Sequence, residues 1–390
     1  MKNMTLKLLC AAFMLSSTSL AGQFNQAHIP AEARLVVHLD VEKFKSSEMW
    51  RLLRPGISEE TWQEVDEIID RFGSNPEKDI DGITLYGADS KEENAVIMIY
   101  GRFDKEKLLW LIKHEESKEE CYEKSQYKGQ KLYHWVGGGY SKEQIEVYLK
   151  RVRHEIESKV EKGELSEEEA RLKMDKVEKD AWKQCEKEYV WMFATDSHIV
   201  FSQNEQAVQA MVDLLAGEGD SLDFQEEAEL AELVKIREGA ILIIAVKTKN
   251  RLSEFLENEP EAAILRNMKM LSVVAGEDNG EMYLTVNLTA VTEDAAMQIE
   301  KVFDGIVAMK TLEHTDQPEI SSFLQAINLE RNGSKLFLTV QYPSAKLDEI
   351  IEIIRHWFHH GYTKINQRQF FYGIQRCCLC LPVNILVKSI

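Results

Sequence analysis

The sequence predicts an α+β protein made of two similar halves, each a mainly antiparallel sheet with helices on one face, plus a helical-hairpin insertion in the first half. Three observations predict it. Gly239-Ala-Ile-Leu-Ile-Ile-Ala-Val-Lys-Thr followed by Lys249-Asn-Arg-Leu-Ser-Glu-Phe-Leu reads as an apolar strand running into an amphipathic helix. Ala33-Arg-Leu-Val-Val-His-Leu-Asp-Val followed by Glu42-Lys-Phe-Lys-Ser-Ser-Glu-Met-Trp has the same pattern in the same order. Finally, one long charged stretch in the first half has no counterpart in the second, and it carries two matching apolar seams.

In the first half the helix expected from Glu42 to Leu53 stops before Arg54-Pro55-Gly56, and a second helix opens at Ser58, with Trp62, Val65, Ile69 and Phe72 near one face. Ile83–Tyr86 and Ala95–Tyr100 read as two strands of an antiparallel pair, and Asp104 caps a helix carrying Leu108, Leu109, Leu111 and Ile112. A hairpin across Asp196-Ser197 then runs into a helix from Asn204 to Leu215.

The second half repeats that order. Leu271–Ala275 and Glu281–Leu288 pair around Glu277-Asp-Asn-Gly, and Thr292 caps a helix with Ala296, Ile299, Val302 and Ile306. A hairpin across Asn332-Gly333, the strongest turn signal in the chain, leads to a helix from Ser344 to Trp357. Glycine punctuates both copies, at Gly87 and Gly276.

The segment without a counterpart is Ser141 to Lys187, between strands at Lys131–Val136 and Tyr189–Ala194. Ser141 with Gln144, and Ser166 with Glu169, form capping boxes on either side of Gly163. Ile145, Leu149, Val152, Ile156 and Val160 make one seam; Ala170, Met174, Val177, Ala181 and Cys185 make the other. Two such helices joined by a short turn form an antiparallel hairpin whose arms are each roughly 30 Å long. It is expected to project from the core, either to dock a protein partner or a second copy of the chain, or as a solvated ornament.

Composition sets the compartment. The 390 residues exceed the usual size of one core. A content of 44% apolar and 29% charged residues is ordinary for a folded body. Lys2 and Lys7, the apolar run Leu8 to Leu15 and Ser19-Leu20-Ala21 read as a signal peptide, residues 1–21, so the chain is expected to be exported to the periplasm or beyond. Leu9 before Cys10 lacks the small residue of a lipid-attachment site, and no other stretch approaches a membrane span. Losing Lys2 and Lys7 takes the net charge from −19 to −21, a field that repels nucleic acid and anionic lipid. Cys121, Cys185, Cys377, Cys378 and Cys380 remain, an odd number with no complete disulfide framework, although a Cys121 to Cys185 bridge is conceivable. The expected parts are a first half, 22–237, with the hairpin at 141–187; a second half, 238–360; and a basic, cysteine-bearing tail, 361–390, outside the fold.

No stretch matches known site chemistry, and no catalytic, cofactor or metal residues are assigned. Gly137-Gly-Gly-Tyr-Ser-Lys142 sits where a phosphate loop would, yet matches no nucleotide fingerprint and reads as a hinge. Glu77-Lys-Asp79-Ile-Asp81-Gly82 begins a calcium loop, but its twelfth position is Ala88. His356, His359 and His360 lie at helical spacing without a third ligand, and the Cys377-Cys378-Leu-Cys380 group lacks a second cluster. Asp196-Ser197-His198 has triad residue types on side chains expected to point apart. Asp40, at the end of the first strand, reads as a helix cap.

The motif Ile29-Pro-Ala-Glu-Ala-Arg-Leu-Val-Val-His-Leu-Asp-Val-Glu-Lys-Phe, with the later Leu214-Leu-Ala-Gly-Glu-Gly-Asp-Ser-Leu, resembles a group of secreted bacterial proteins known mainly as domains of unknown function, frequent in planctomycete-like genomes. The resemblance covers Gln23 to His360, leaves the hairpin and tail outside, and implies no catalytic residues. Two functions are carried forward: an exported non-enzymatic binding or structural protein, and an exported hydrolase using carboxylates such as Asp40.

Overall fold

A computed structural model of the chain describes residues 24–56, 63, 75–88, 92–114, 120–136, 142–163, 165–183, 188–195, 197–222, 238–247 and 267–348. Twelve strands form one sheet: β1 (Leu35–Asp40), β2 (Ile80–Gly87), β3 (Val96–Gly101), β4 (Glu120–Tyr127), β5 (Gln130–Val136), β6 (Glu188–Thr195), β7 (His198–Ser202), β8 (Ala240–Lys247), β9 (Met268–Asp278), β10 (Glu281–Ala290), β11 (Ile327–Asn332) and β12 (Lys335–Pro343). All neighbours are antiparallel, and the order is β11-β12-β10-β9-β8-β1-β2-β3-β7-β6-β5-β4. The protein is therefore α+β around a large antiparallel sheet. The two sheets expected from the sequence are one, because β1 and β8 pair in the middle with Leu39 opposite Leu242. From that seam the sheet runs outward as β1-β2-β3-β7-β6-β5-β4 on one side and β8-β9-β10-β12-β11 on the other.

Helices cover both faces rather than one. α1 (Val41–Ser46) and α2 (Glu48–Leu53) bury Phe44 and Leu53 with Leu39 and Ile241 on one face, where α8 (Glu293–Glu313) and α9 (Pro318–Gln325) also lie through Ala296 and Phe323. α7 (Glu205–Leu215) packs Val208, Met211 and Val212 on the opposite face, against Val36, Met98, Met192 and Val200. The reason lies in the central strands. β2 and β3 are buried along nearly their whole length, including successive residues that point to opposite faces, so each face needs its own cover. That core runs across the β1–β8 seam to Ile243, Val274 and Tyr283, joining the two halves.

Local chemistry sets the helix ends. The helix expected over Glu42–Leu53 breaks at Ser47, whose hydroxyl donates to the Phe44 carbonyl (2.6 Å) and accepts from the Trp50 amide (3.2 Å), ending α1 and starting α2. Asp104 caps α4 (Lys105–His114) through the Lys107 amide (2.9 Å) and Thr292 caps α8 through Ala295 (3.1 Å), as the sequence predicts, while Asn204, expected as the first residue of its helix, caps α7 through Gln206 (2.9 Å). In α8 the inward row is Ala296, Ile299, Phe303 and Val307. Val302 and Ile306 are each 48% exposed. Beyond Ile299 the helix sits one residue out of the phase read from the sequence.

One strand escaped sequence reading. β4, Glu-Cys-Tyr-Glu-Lys-Ser-Gln-Tyr, is an edge strand joined to β5 by Lys128-Gly129, both at positive φ (47° and 84°), the two-residue turn that suits hairpin twist. Tyr127 donates to Asp213 Oδ2 (3.0 Å) and Lys128 pairs with Asp213 (2.6 Å), fastening this edge to α7.

Between β5 and β6, α5 (Lys142–Glu161) and α6 (Glu167–Lys183) pack on one another. Ile145 and Leu149 meet Ala181, while Val152 and Ile156 meet Ala170, so the helices run antiparallel. Ser166 and Glu169 form the capping box, with the Ser166 amide donating to Glu169 (2.9 Å) and the Glu169 amide to Ser166 (3.3 Å). The signal segment, the helix from Ser58, the Gly137–Ser141 hinge, Cys185, the helix after Lys249, the remainder of the helix toward Trp357 and the tail lie outside the described residues.

Candidate functional site

Asp40 ends β1 and starts α1. Its Oδ1 accepts from the Lys43 amide (2.9 Å) and its Oδ2 pairs with Lys43 Nζ (3.1 Å), while burial pushes its carboxyl above the usual range. The cap reading holds, and both oxygens are taken.

The carboxyl that stands out is Asp81 on β2, which sequence reading placed only in a half-formed calcium loop. It is 4% exposed, and its Oδ1 has no hydrogen-bond partner. Burial raises its pKa most and the Glu42 carboxylate on α1 raises it further, while Arg102 and Lys45 pull it back. Asp79, two residues earlier, accepts from the Asn75 amide (2.6 Å) in the turn around α3 (Pro76–Asp79). A shallow cleft of about 500 Å³ is lined by Lys45, Ser46, Ser47, Glu48, Trp50, Arg51, Arg54 and Lys78; Asp81 is not part of that lining and is linked to it through Lys45. Lys45 Nζ donates to the Ile80 carbonyl (3.2 Å), and the Arg51 guanidinium is paired with Glu48. The cleft residues come from α1, α2, the turn after α2 and α3, too scattered for a sequence motif, and the buried Asp81 lies behind them rather than in the cleft.

A second polar seam crosses the face beneath the N-terminal segment. His38 Nδ1 and Thr84 Oγ1 are 2.8 Å apart, Thr84 donates to Tyr100 (3.2 Å), and the Tyr100 ring meets His198 edge-on at 4.9 Å. Burial pushes the Tyr100 phenol up to about 12, so it stays protonated. Ser197 and His198 were expected to point apart, yet Ser197 Oγ lies 2.9 Å from His198 Nδ1. Thr195 explains it: its hydroxyl accepts the Ser197 amide (3.1 Å) and also reaches His198 Nδ1 (2.6 Å), curling the turn so that both hydroxyls meet one ring nitrogen. Asp196, the histidines from 356 to 360 and Cys377, Cys378 and Cys380 lie outside the described residues. Among the described residues, no group of three or more His, Cys, Asp or Glu is placed to hold a metal ion, and no helix is long and apolar enough to cross a membrane.

No family model matches the chain, and no characterised protein matches its sequence. Solved structures can be aligned with it at low similarity. Two of them are crystal forms I and IV of TP0453, a Treponema protein, at 9% and 10% identity, covering 85% and 86% of this chain and 97% and 99% of theirs, both at a TM-score of 0.39.

A pH titration of stability should reveal Asp81. A carboxyl whose pKa is raised by folding stays protonated in the native state while the unfolded chain has already released its proton, so stability falls as pH rises from the ordinary aspartate range through the native pKa. Asp81→Asn, neutral at every pH, should remove that fall, matching the parent near pH 3 to 4. Near pH 7 it should exceed the parent by no more than about 1 kcal/mol, since solvent reaching the neighbouring charges screens part of the burden. Urea midpoints across that range provide the check, and a variant no more stable than its parent at neutral pH would show that the carboxyl is not so burdened.

Proposed function

We propose that the protein is an exported, non-enzymatic binding or structural component of the cell envelope or extracellular space, built from a duplicated α/β unit, with α5 and α6 as an inserted docking arm. The duplication is supported by strand order: β1-β2-β3-β7-β6 and β8-β9-β10-β12-β11 follow the same succession outward from the seam. Glycine supports it too, since Gly87 pairs with Leu35 at the start of β1 and Gly276 with Ala240 at the start of β8. Export rests on the charged start, apolar run and small-residue site of residues 1–21, and the kinship to secreted planctomycete-like proteins on the motif after Ile29.

The observation that carries the docking role is the helix pair itself. Its apolar seam is closed from within, and yet Val147 and Leu172 stand 70% and 59% exposed among charges on its outer surfaces. A helix pair that closes its own seam leaves its outer surface available to a partner protein or to a second copy of the chain, with Val147 and Leu172 as apolar points on it. Photo-crosslinking residues placed at Val147 and Leu172, in the producing cell, should give defined adducts of one partner mass, whereas the same residue at Val291, 49% exposed between β10 and α8, should not. Adducts equally abundant from all three positions would mean random collision and would count against a docking arm.

The second reading, an exported hydrolase, is supported by the buried carboxyl of Asp81, whose pKa is raised by burial and by its neighbour Glu42. It requires turnover on a panel of esters, peptides and glycosides that Asp81→Asn abolishes. Turnover of that kind would replace the non-enzymatic reading.

A further inference from the structure

The N-terminal segment Phe24 to Ala33 lies as a strap across the face that α7 also covers. Ile29 is fully buried and Phe24 nearly so, within the same core as Val36, Met98 and Val208. The strap is fastened at its far end by backbone bonds, Ala31 amide to Asp220 carbonyl (2.9 Å) and Leu222 amide to Ile29 carbonyl (2.9 Å). At its near end Phe24 packs on His38 (ring centroids 5.2 Å), and the His28 ring stands edge-on to the His198 ring at 5.9 Å.

The two imidazoles are built in for the neutral state. His28 Nε2 is bonded to Asn25 Nδ2 (3.1 Å), a donor, so Nε2 accepts, and the buried Nδ1 has no partner. His198 Nδ1 is held by the Thr195 and Ser197 hydroxyls. Among the described residues, the groups that face the pair are Asn25 from the strap, Tyr100 from β3, and Thr195 and Ser197 from the β6–β7 turn, all uncharged at neutral pH. Burial lowers both pKa values, and for His198 the facing His28 lowers it further; neither ring draws a counter-shift from a carboxylate.

We infer that this histidine pair is an acid-sensitive latch, which holds the N-terminal strap closed when neutral and releases it when both rings are protonated. Protonation turns His28 Nε2 from an acceptor into a donor facing a donor amide, and sets two cations edge to edge with ring centroids 5.9 Å apart. The sign follows: the open state takes up protons at the ordinary histidine pKa while the closed state resists them, so acidification below about pH 6.5 favours opening. An exported chain meets such pH changes directly, and opening would bare Ile29's seat in the core.

The test is hydrogen exchange of the full chain at about pH 7.5 and about pH 5.5, with protection corrected for the intrinsic rate. The amides of Ala31, Ala33 and Leu222 should lose at least about tenfold protection at the lower pH, while amides in β6 and β7 hold theirs. Asn25→Asp keeps the cap acceptor for the Ala27 amide and gives His28 an anion, so its strap should stay closed at the lower pH. His198→Gln should also blunt the response. Protection that does not change with pH in the parent, or that falls equally in Asn25→Asp, overturns the latch. Should His198→Gln open the strap at both values, Asn25→Asp, which leaves packing untouched, remains the deciding variant.

Discussion

Replacing Trp191 with Ala should lower the unfolding free energy by about 3–5 kcal/mol, the largest effect expected of any single side chain here. Trp191 on β6 is 2% exposed and lies between its two register partners, Tyr133 on β5 and Phe201 on β7. The Tyr133 ring stacks on it at 4.8 Å and 29°, the Phe201 ring at 6.1 Å and 17°, and Phe193 meets it edge-on at 5.3 Å. Truncation removes the middle of that row and leaves a cavity that two flanking strands, tied by their own ladders, cannot close. Trp191→Phe retains most of the area and should cost about 1–2 kcal/mol. Equilibrium urea unfolding measures both, and equal losses for Ala and Phe would show that the stack contributes little.

Gly239→Ala should be nearly as damaging, by about 2–4 kcal/mol, for backbone reasons alone. Gly239 has φ +75°, and a Cβ there would fall deep inside van der Waals contact with the Glu277 carbonyl oxygen. That oxygen belongs to a backbone held in place, because the Glu277 amide donates to the Gly239 carbonyl (3.1 Å). The adjacent Glu238 carbonyl accepts from the buried Tyr283 hydroxyl (3.0 Å), so a shift of the chain would strain that bond as well. Gly280 separates the two causes. Its φ is +78°, but nothing lies within 4 Å of its Cβ position. Gly280→Ala should therefore incur only the left-handed penalty of about 1–2 kcal/mol. Thermal unfolding of the two variants side by side should rank Gly239→Ala well below Gly280→Ala; the reverse order would place the strain outside the β8–β9 entry.

Strands, caps and hairpins were legible in the sequence because they depend on neighbours: the capping oxygens of Asp104 and Thr292 stand one residue before their helices, and Asn279-Gly280 takes the two left-handed conformations its composition permits. What was not legible depends on partners distant in the chain. The continuity of the sheet rests on β1 meeting β8, far along the chain, and neither strand's alternation names its neighbour. Covered faces could have been counted from Val96-Ile-Met-Ile-Tyr, an unbroken apolar run that calls for burial on both sides. β4 was missed because an edge strand next to solvent need not be apolar. Asp81 was passed over since its burial and its neighbour Glu42 come from packing, and the Ser197–His198 contact since a single threonine hydroxyl re-aims the turn.

The proposed docking role of α5 and α6 is tested most directly by removing them. Replacing Gly138 to Lys187 with a short Gly-Ser turn leaves β5 and β6 to pair through Tyr133 and Trp191, so the body should unfold cooperatively at an unchanged urea midpoint, while formaldehyde crosslinking in the producing cell should lose the partner adduct that the full chain gives. A body that no longer unfolds cooperatively, or an adduct that persists without the arm, would contradict a docking arm carried on an independent sheet.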